Sequence, residues 1–394
     1  MLESLRLIDF KSFVDETIPF SPVTFLVGAN AAGKSNVLDA LRFLHGLSYN
    51  LRLAEVLDGE EGRAPDAWMG IRGGARETAR YGAGGFAIQS KWSFHSTIMG
   101  QHEIRCDVKP AIRLIEERIS GTEGNDVIRL HRNGSDQLML SMPPTETPAG
   151  DWDAGKSILS GARERRHVLL DSNVAAPAVM MGVGRFQFVE IQPDRMRELS
   201  HSGPPLRDDG ANLSGVLHAL VRDSETRKTF IEWVAELCAP ELADLDFIEV
   251  EELGDVMVVL VERDGRRITA RSMSDGTLRF LGILTALYTA EPDSTLCFEE
   301  LGAGLHPARV QLLLELLEAA YRERRVQTIV TTHSPSLLRW LPDERLGQAI
   351  LLARTPDHPG TIARRLGDLP GFFDAVRSLG LEEMFGMQWL EAAL

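Results

Sequence analysis

A glycine-rich octapeptide near the amino terminus combines residue types that are suited to binding phosphate groups. Residues 28–35, the phosphate loop, read GANAAGKS and match GxxxxGK[ST] in full, between an apolar run and helical apolar spacing. Glycines let consecutive N–H groups point at phosphate oxygens in front of a helix N-terminus. We therefore expect Lys34 to reach the β- and γ-phosphates of a nucleotide and Ser35 to ligate Mg²⁺; a simple glycine-rich turn would need neither residue.

Two adjacent carboxylates, Glu299 and Glu300, follow an apolar run that predicts a buried strand. At the carboxyl end of such a strand, one carboxylate can hold Mg²⁺ through its water shell, and the next can polarise the water that attacks a γ-phosphate. By itself the pair fits solvated acidic residues equally well. His333 ends the next apolar run, in the segment TTHS, and this position beside the same sheet edge favours the functional interpretation.

A third segment, SMSDGT at residues 272–277, places small polar residues directly before a predicted helix. Such a helix N-terminus is a candidate anion site. Lys34 and Glu300 are 266 residues apart, so a large insertion separates the phosphate loop from the acidic strand. Because the chain already has one phosphate loop, we interpret the SMSDGT segment as a contact to ATP held by a partner subunit.

The elements around these segments indicate an α/β arrangement. Residues 4–10 and 17–20 predict a hairpin, residues 22–27 a buried strand and residues 34–47 a helix. After residue 273, helices alternate with buried strands, which indicates parallel strands joined by crossover helices. The predicted helices are 278–289 and 310–323, and the predicted strands are 295–298 and 328–332.

The middle of the chain predicts short strands from residue 86 to 140, a proline- and threonine-rich loop at 142–150 and a second breaker at 203–210. Asn133-Gly134, between two apolar runs, is the strongest hairpin signal in the sequence. Beyond the second breaker, the apolar spacing predicts helices at 213–220 and 229–237 and strands at 246–250 and 255–262.

The composition is that of a globular protein with two or three lobes, since the chain has 394 residues, 44% of them hydrophobic and 25% charged. The formal net charge of −15 argues against a protein that coats nucleic acid or an anionic membrane. Arginine clusters at 163–166, 263–271 and 322–325 leave a local DNA-binding groove open, although acidic residues interrupt or follow each cluster.

Cysteine and histidine usage indicates a reducing compartment and no zinc site. Cys106, Cys238 and Cys297 are too few and too scattered for a disulfide framework, and the ten histidines form no metal-binding motif. No apolar run approaches the ~18 residues that span a bilayer. We therefore expect a cytoplasmic protein without a membrane partner.

Four motifs occur in order along the chain: GANAAGKSN, SMSDGTLRF, LCFEELGAGLHP and TIVTTHS. Together with the opening LRLIDFKSF, they resemble an ABC-type ATPase head of the RecF, SMC and OLD-like proteins, within the AAA-domain set. The resemblance implies an α/β P-loop NTPase fold of ABC type, with a mixed or parallel sheet, flanking helices and an inserted β-rich lobe. It implies an ATPase domain in two halves, 1–85 and 263–394, around a lobe at 86–262.

The resemblance also implies a role for each matching residue. Ser35 and Glu299 would bind Mg²⁺, Glu300 would be the catalytic base, and His333 would sense the γ-phosphate. Ser274 and Gly276, in what is then the signature segment (residues 272–277), would contact ATP of the opposite subunit. The residues implied to contact ATP in the same subunit are Gly28, Asn30, Ala31, Ala32, Gly33, Lys34, Ser35 and Asn36.

Heads of this kind dimerise head-to-tail around two ATP molecules, so the resemblance implies an ATP-dependent homodimer or higher oligomer. It further implies a role in DNA metabolism or anti-phage defence, with a separate effector protein and DNA as a possible ligand. Glu299 stands where these proteins commonly have aspartate, which leaves open an ATP-binding scaffold with slow hydrolysis. The ATPase subunit of a transporter is a further alternative, which the opening hairpin and the β-rich insertion argue against.

Overall fold

The computed structural model of the chain describes all residues except 61–66, 95–97, 124–125, 133–136, 143–144, 152, 154, 162–174, 204, 238–240, 302–306 and 334. The described residues form a mixed α/β structure, which confirms the predicted fold class. Its strands are β1 (Leu2–Ile8), β2 (Asp15–Pro19), β3 (Val23–Val27), β4 (Gly85–Phe94), β5 (Ile98–Asp107), β6 (Arg113–Glu123), β7 (Asp126–Arg132), β8 (Gln137–Met142), β9 (Thr145–Asp151), β10 (Phe186–Val189), β11 (Ser200–His201), β12 (Leu242–Val250), β13 (Asp255–Glu262), β14 (Arg267–Thr269), β15 (Thr295–Glu299), β16 (Gln327–Thr332), β17 (Ile350–Ala353) and β18 (Ile362–Arg365).

The helices range from single turns to five turns. They are α1 (Lys34–Gly46), α2 (Leu53–Asp58), α3 (Ile158–Gly161), α4 (Ala175–Gly184), α5 (Pro193–Met196), α6 (Leu213–Leu220), α7 (Ser224–Leu237), α8 (Asp275–Thr289), α9 (Pro307–Arg324), α10 (Pro335–Leu338), α11 (Asp343–Gln348), α12 (Phe372–Ser378), α13 (Leu381–Gly386) and α14 (Trp389–Ala392). Within the described part of the chain, no helix combines the length and the apolar character that crossing a membrane requires.

The chain forms two compact units. The first contains residues 1–186, 347–378 and 386–394, and the second contains residues 187–346 and 379–385. The phosphate loop lies in the first unit, whereas the signature segment, Glu299, Glu300 and His333 lie in the second.

An eight-stranded antiparallel sheet in the first unit has the order β2-β1-β4-β5-β6-β7-β8-β9. The predicted amino-terminal hairpin is confirmed, with Ser4 opposite Pro19 and Ile8 opposite Asp15. β1 also pairs with β4, so the hairpin continues into the strands of the middle region. Alternate residues of β4 are buried, the pattern expected when one face of an antiparallel sheet packs on a core.

The proline- and threonine-rich segment at 142–150 is not the loop that the sequence predicts. Residues 145–151 form β9, which pairs antiparallel with β8 through a register shift between Leu138 and Met139. β9 lies at the edge of the sheet, where a proline such as Pro148 removes no ladder hydrogen bond on its outer side. The hairpin predicted around Asn133-Gly134 is confirmed in its two strands, β7 and β8, while its turn lies outside the described residues.

The remaining strands of the first unit carry the phosphate loop. β3 is buried along its whole length and pairs parallel with β17, which pairs antiparallel with β18. α1 begins at Lys34, directly after the loop, as predicted from the change in apolar spacing. A strand, a tight loop and a helix therefore follow one another at this point, which is the arrangement that a phosphate loop needs.

The second unit contains the predicted alternation of strands and helices. β15 and β16 are parallel and in register from Thr295 opposite Gln327 to Glu299 opposite Thr331, with α9 as the crossover between them. A separate antiparallel group has the order β11-β13-β12, with β14 paired to β13. α7 begins at Ser224, five residues before the predicted start.

Side chains cap both ends of α8. The Ser274 hydroxyl accepts a hydrogen bond from the Thr277 N–H at 3.1 Å, as an N-cap does. At the other end, the Arg324 guanidinium donates to the carbonyls of Leu287, Tyr288 and Ala290. Carbonyls at the end of a helix have no N–H partner within the helix itself, so the arginine supplies the donors. Burial lowers the pKa of Arg324. The two caps fix the length of the helix that carries the signature segment.

Candidate nucleotide site

The phosphate loop has backbone angles that constrain which residues it can contain. Gly28 (φ 154°) and Gly33 (φ 112°) have positive φ angles, and so does Ala31 (φ 64°). A Cβ atom on Gly28 would lie 2.2 Å from the Leu352 carbonyl oxygen, and one on Gly33 would lie 2.8 Å from the Thr361 hydroxyl. Both glycines of the motif are therefore required by close contacts as well as by conformation.

The loop presents backbone donors in the way that an anion site requires. Within the described part of the chain, the N–H groups of Asn30, Ala31 and Gly33 make no hydrogen bond. Asn30 and Ala31 are exposed, and the loop leads directly into the N-terminus of α1, whose helix dipole favours negative charge. Successive unpaired N–H groups of this kind form a concave site for a phosphate group. The backbone donors therefore fit a nucleotide phosphate.

Lys34 lies inside this loop with only 7% of its surface exposed. Its ammonium donates to the carbonyl oxygens of Gly28 at 2.7 Å and Ala29 at 3.0 Å. These bonds hold the charge against the backbone that forms the anion site. Ser35 and Asn36 are half-buried in the first turn of α1, directly after Lys34.

Two side chains that the sequence analysis did not identify support the loop. The Ser12 hydroxyl accepts from Asn36 Nδ2 at 2.8 Å and from the Thr361 hydroxyl at 2.7 Å. The Thr361 hydroxyl also lies 3.0 Å from the carbonyl oxygen of Ala32 in the loop. Ser12 belongs to the opening segment LRLIDFKSF, which the sequence analysis had already connected with the ATPase motifs. Thr361 is 329 residues from Ala32 and has no such signal.

A buried ion cluster anchors the helix behind the loop. Asp39 of α1 is 1% exposed and lies 2.9 Å from Lys11 Nζ. Arg72 donates to both oxygens of the same carboxylate through Nε and Nη2, and Lys11 also donates to the Arg72 carbonyl. Because the Lys11 ammonium is itself nearly buried, the Asp39 carboxylate offsets the free-energy cost of burying that positive charge.

We expect Asp39→Asn to lower the free energy of unfolding by about 3 kcal/mol, because it leaves buried positive charge without its partner. The measurement is urea unfolding followed by circular dichroism. The matched control is Asp15→Asn, which breaks the exposed pair between Arg6 and Asp15 and should cost below about 1 kcal/mol. Equal losses in the two variants would contradict the role given to the buried cluster.

The acidic edge, consisting of Glu299, Glu300 and His333, lies in the second unit. Glu299 and Glu300 end β15, and His333 follows β16, so the parallel pairing of these strands brings the three residues to one end. His333 Nδ1 lies 2.8 Å from Glu300 Oε2, and both side chains are partly exposed. The sequence prediction that His333 stands beside the carboxylate pair is therefore confirmed in the geometry.

Glu300 has an unusual backbone conformation for a residue with a side chain. Its φ angle is 55°, in the left-handed region, which costs about 1–2 kcal/mol for a non-glycine residue. Its N–H group lies 3.1 Å from the Thr331 carbonyl oxygen and 3.2 Å from the Thr331 hydroxyl. These hydrogen bonds hold the backbone turn that aims the Glu300 carboxylate at His333.

The signature segment presents Ser274 and Gly276 at the start of α8. Ser274 is exposed and Gly276 is half-buried. Residues 304–306 of the GLHP motif and Ser334 lie outside the described residues, so their predicted placement is not described. No group of three or more His, Cys, Asp or Glu residues capable of holding a metal ion occurs in the described ranges.

Two segments of the chain match AAA ATPase domain families. Residues 1–79 match a family described as "AAA ATPase domain", and they contain the phosphate loop. Residues 145–339 match one described as "AAA domain, putative AbiEii toxin, Type IV TA system", and they contain the signature segment and the acidic edge. These two matches confirm the resemblance to AAA-family ATPase domains over the two segments. No curated protein sequence matches it significantly.

Solved structures also align with the chain at low sequence identity. An SMC head bound to the C-winged helix domain of ScpA has 17% identity and a TM-score of 0.49, covering 92% of this chain and 97% of that one. An SMC head with an extended coiled coil, bound to the C-terminal domain of ScpA from Pyrococcus furiosus, has 16% identity, coverages of 96% and 99%, and a TM-score of 0.45. The recombination mediator RecF has 13% identity, coverages of 93% and 98%, and a TM-score of 0.42. Similarities at this level carry no functional inference.

Proposed function

We propose that this protein is a Mg²⁺-dependent ATP hydrolase that dimerises head-to-tail around ATP. The observation that carries the proposal is the contact between His333 Nδ1 and Glu300 Oε2 at 2.8 Å, at the end of two parallel strands. A structural acidic pair would not need a strained Glu300 backbone held by Thr331. The phosphate loop supplies the second requirement, a fitted anion site with a buried cation.

Each residue of the site would have a distinct part in this reaction. The loop N–H groups and Lys34 would bind the β- and γ-phosphates, while Ser35 and Glu299 would hold Mg²⁺, which supplies charge neutralisation at the phosphates. Glu300 would orient the attacking water and accept its proton, with His333 holding the carboxylate in position and contacting the γ-phosphate. Ser274 and Gly276 would complete the site of the opposite subunit.

The work that hydrolysis drives would be done by a separate effector protein, in DNA metabolism or anti-phage defence. The description of the family that residues 145–339 match mentions a toxin–antitoxin system, which supports a defence role. DNA is a possible ligand of this system. If the protein binds DNA, its affinity should fall steeply with salt concentration, because phosphate contacts release counterions. Binding that is undetectable or independent of salt would remove DNA from the proposal.

The second candidate function is an ATP-binding scaffold that hydrolyses slowly and assembles a complex. Glu299 favours it, because the longer side chain replaces the aspartate common at this position. Steady-state phosphate release with ATP and Mg²⁺ separates the two candidates. An ATPase should turn over well above background and should lose this activity in Glu300→Gln. A scaffold should stay near background in both forms while still binding ATP.

A further inference from the structure

Arg197 makes an unusual set of contacts around the signature segment. Its guanidinium donates to the carbonyl oxygens of Met273 at 2.7 Å, Ala270 at 3.2 Å and Arg271 at 3.2 Å. It also donates to Asp275 Oδ1 at 2.5 Å. One side chain thus binds residues on both sides of Ser274, and nothing in the motif pattern of the sequence indicates this.

The segment that carries Arg197 is itself fixed to α8. Met196, the preceding residue, is fully buried. Arg279 of α8 donates to the Ile191 carbonyl at 3.2 Å. A Cβ atom on Gly282, one turn further along α8, would lie 2.6 Å from Ile191 Cδ1. The Arg197 backbone is therefore held against the same helix whose first turn its guanidinium binds.

Asp275 gives these contacts an electrostatic consequence. Its carboxylate lies in the first turn of α8 and is two-thirds exposed, beside the residues proposed to meet a γ-phosphate. An uncompensated negative charge there would repel a phosphate. Arg197 offsets that charge and at the same time fixes the peptide groups that precede Ser274. Lysine could not do both, because it has no planar fork of donors.

We propose that Arg197 is a positioning residue for the signature segment, holding Ser274 and Gly276 in the orientation that completes the ATP site of the partner subunit. This inference rests on the proposed head-to-tail ATPase. Because its contacts lie on both sides of Ser274, loss of Arg197 damages hydrolysis in the partner's site. The nucleotide affinity of the isolated chain stays unchanged.

The first test is the activity of Arg197→Met alone. We expect kcat for ATP to fall about 10- to 100-fold, because small misplacements of positioning groups have effects of that size. ATP affinity of the monomer, measured by calorimetry, should remain at the wild-type value. The kcat of Arg197→Lys should lie between those of Arg197→Met and the wild type. The double variant Arg197→Met/Asp275→Asn should recover part of the lost kcat, because the negative charge that repels phosphate is gone. Arg195→Met is the matched control, since Arg195 is exposed and its carboxylate partner, Asp209, is 3.6 Å away.

The second test asks in which subunit Arg197 acts. Arg197→Met chains are mixed in equal amounts with Lys34→Ala chains before ATP is added. A Lys34→Ala chain binds no ATP, so it can join a dimer only through the ATP held by an Arg197→Met chain. Each such mixed dimer has one site built from intact parts of both chains, so activity should rise several-fold above that of Arg197→Met chains alone. The same mixture with Ser274→Arg in place of Arg197→Met tests whether each ATP site of the dimer is built from residues of both subunits.

The outcomes separate the inference from the proposed function. Recovery in both mixtures supports the positioning role in the partner's site. Recovery with Ser274→Arg alone means that Arg197 acts within its own subunit, which overturns the inference and leaves the ATPase dimer standing. Recovery in neither mixture means that the sites are not shared, and the proposed dimer fails with it. If Arg197→Met does not fold, Arg197→Lys takes its place in both mixtures.

Discussion

Lys34→Ala is expected to abolish ATP binding. The ammonium of Lys34 is the buried cation of the phosphate loop, and it donates to the carbonyls of Gly28 and Ala29. Its removal takes away the charge that we propose to bind the β- and γ-phosphates and the two hydrogen bonds to the loop carbonyls. Charged hydrogen bonds of this kind contribute about 1.5–3 kcal/mol each, so we expect affinity to fall at least about 100-fold.

Titration calorimetry with ATP and Mg²⁺ measures this loss directly. The matched control is Lys228→Ala, because Lys228 is an exposed lysine on α7 that lies 4.0 Å from the Glu232 carboxylate. The control should bind ATP like the wild type. Circular dichroism of Lys34→Ala checks that the fold is intact. Wild-type affinity in folded Lys34→Ala would contradict the assignment of residues 28–35 as the phosphate loop.

The parts of the site that the sequence predicted are those whose signals are local. The phosphate loop is contained in eight residues, so its motif could be recognised from the pattern itself, although the contacts of its glycines with Leu352 and Thr361 could not. The pairing of β15 with β16 followed from two apolar runs separated by one amphipathic helix, because that connection produces parallel neighbours. Parallel neighbours end at the same edge, which is why His333 could be placed beside Glu300 from sequence alone.

The parts that the sequence missed depend on contacts between distant residues. Arg197 is 78 residues from Asp275, and an arginine after a short helix has no local sign of such a partner. Thr361 reaches the phosphate loop only because β18 follows β17, the partner of β3. β9 was missed for a different reason, since threonine and proline favour loops unless an edge position makes them acceptable in a strand.

Glu300→Gln is expected to stop hydrolysis while leaving ATP bound. The amide keeps the size of the side chain and can still meet His333 Nδ1, whose distance from Glu300 Oε2 is 2.8 Å. It cannot accept a proton from the attacking water, so kcat should fall about 100- to 10,000-fold, the range for loss of a general base. Phosphate release under steady-state conditions measures the fall, and Glu323→Gln, on the exposed end of α9, is the control.

The same variant distinguishes binding from turnover in the proposed dimer. If ATP closes the dimer and hydrolysis opens it, a chain that binds ATP without cleaving it should accumulate as a dimer. Light scattering with saturating ATP and Mg²⁺ should then give twice the mass of the ATP-free chain for Glu300→Gln. The double variant Lys34→Ala/Glu300→Gln should stay monomeric, because it cannot bind the nucleotide that joins the subunits. A monomeric Glu300→Gln with ATP bound would show that the nucleotide does not hold two chains together, and hydrolysis would then have to be explained within one chain.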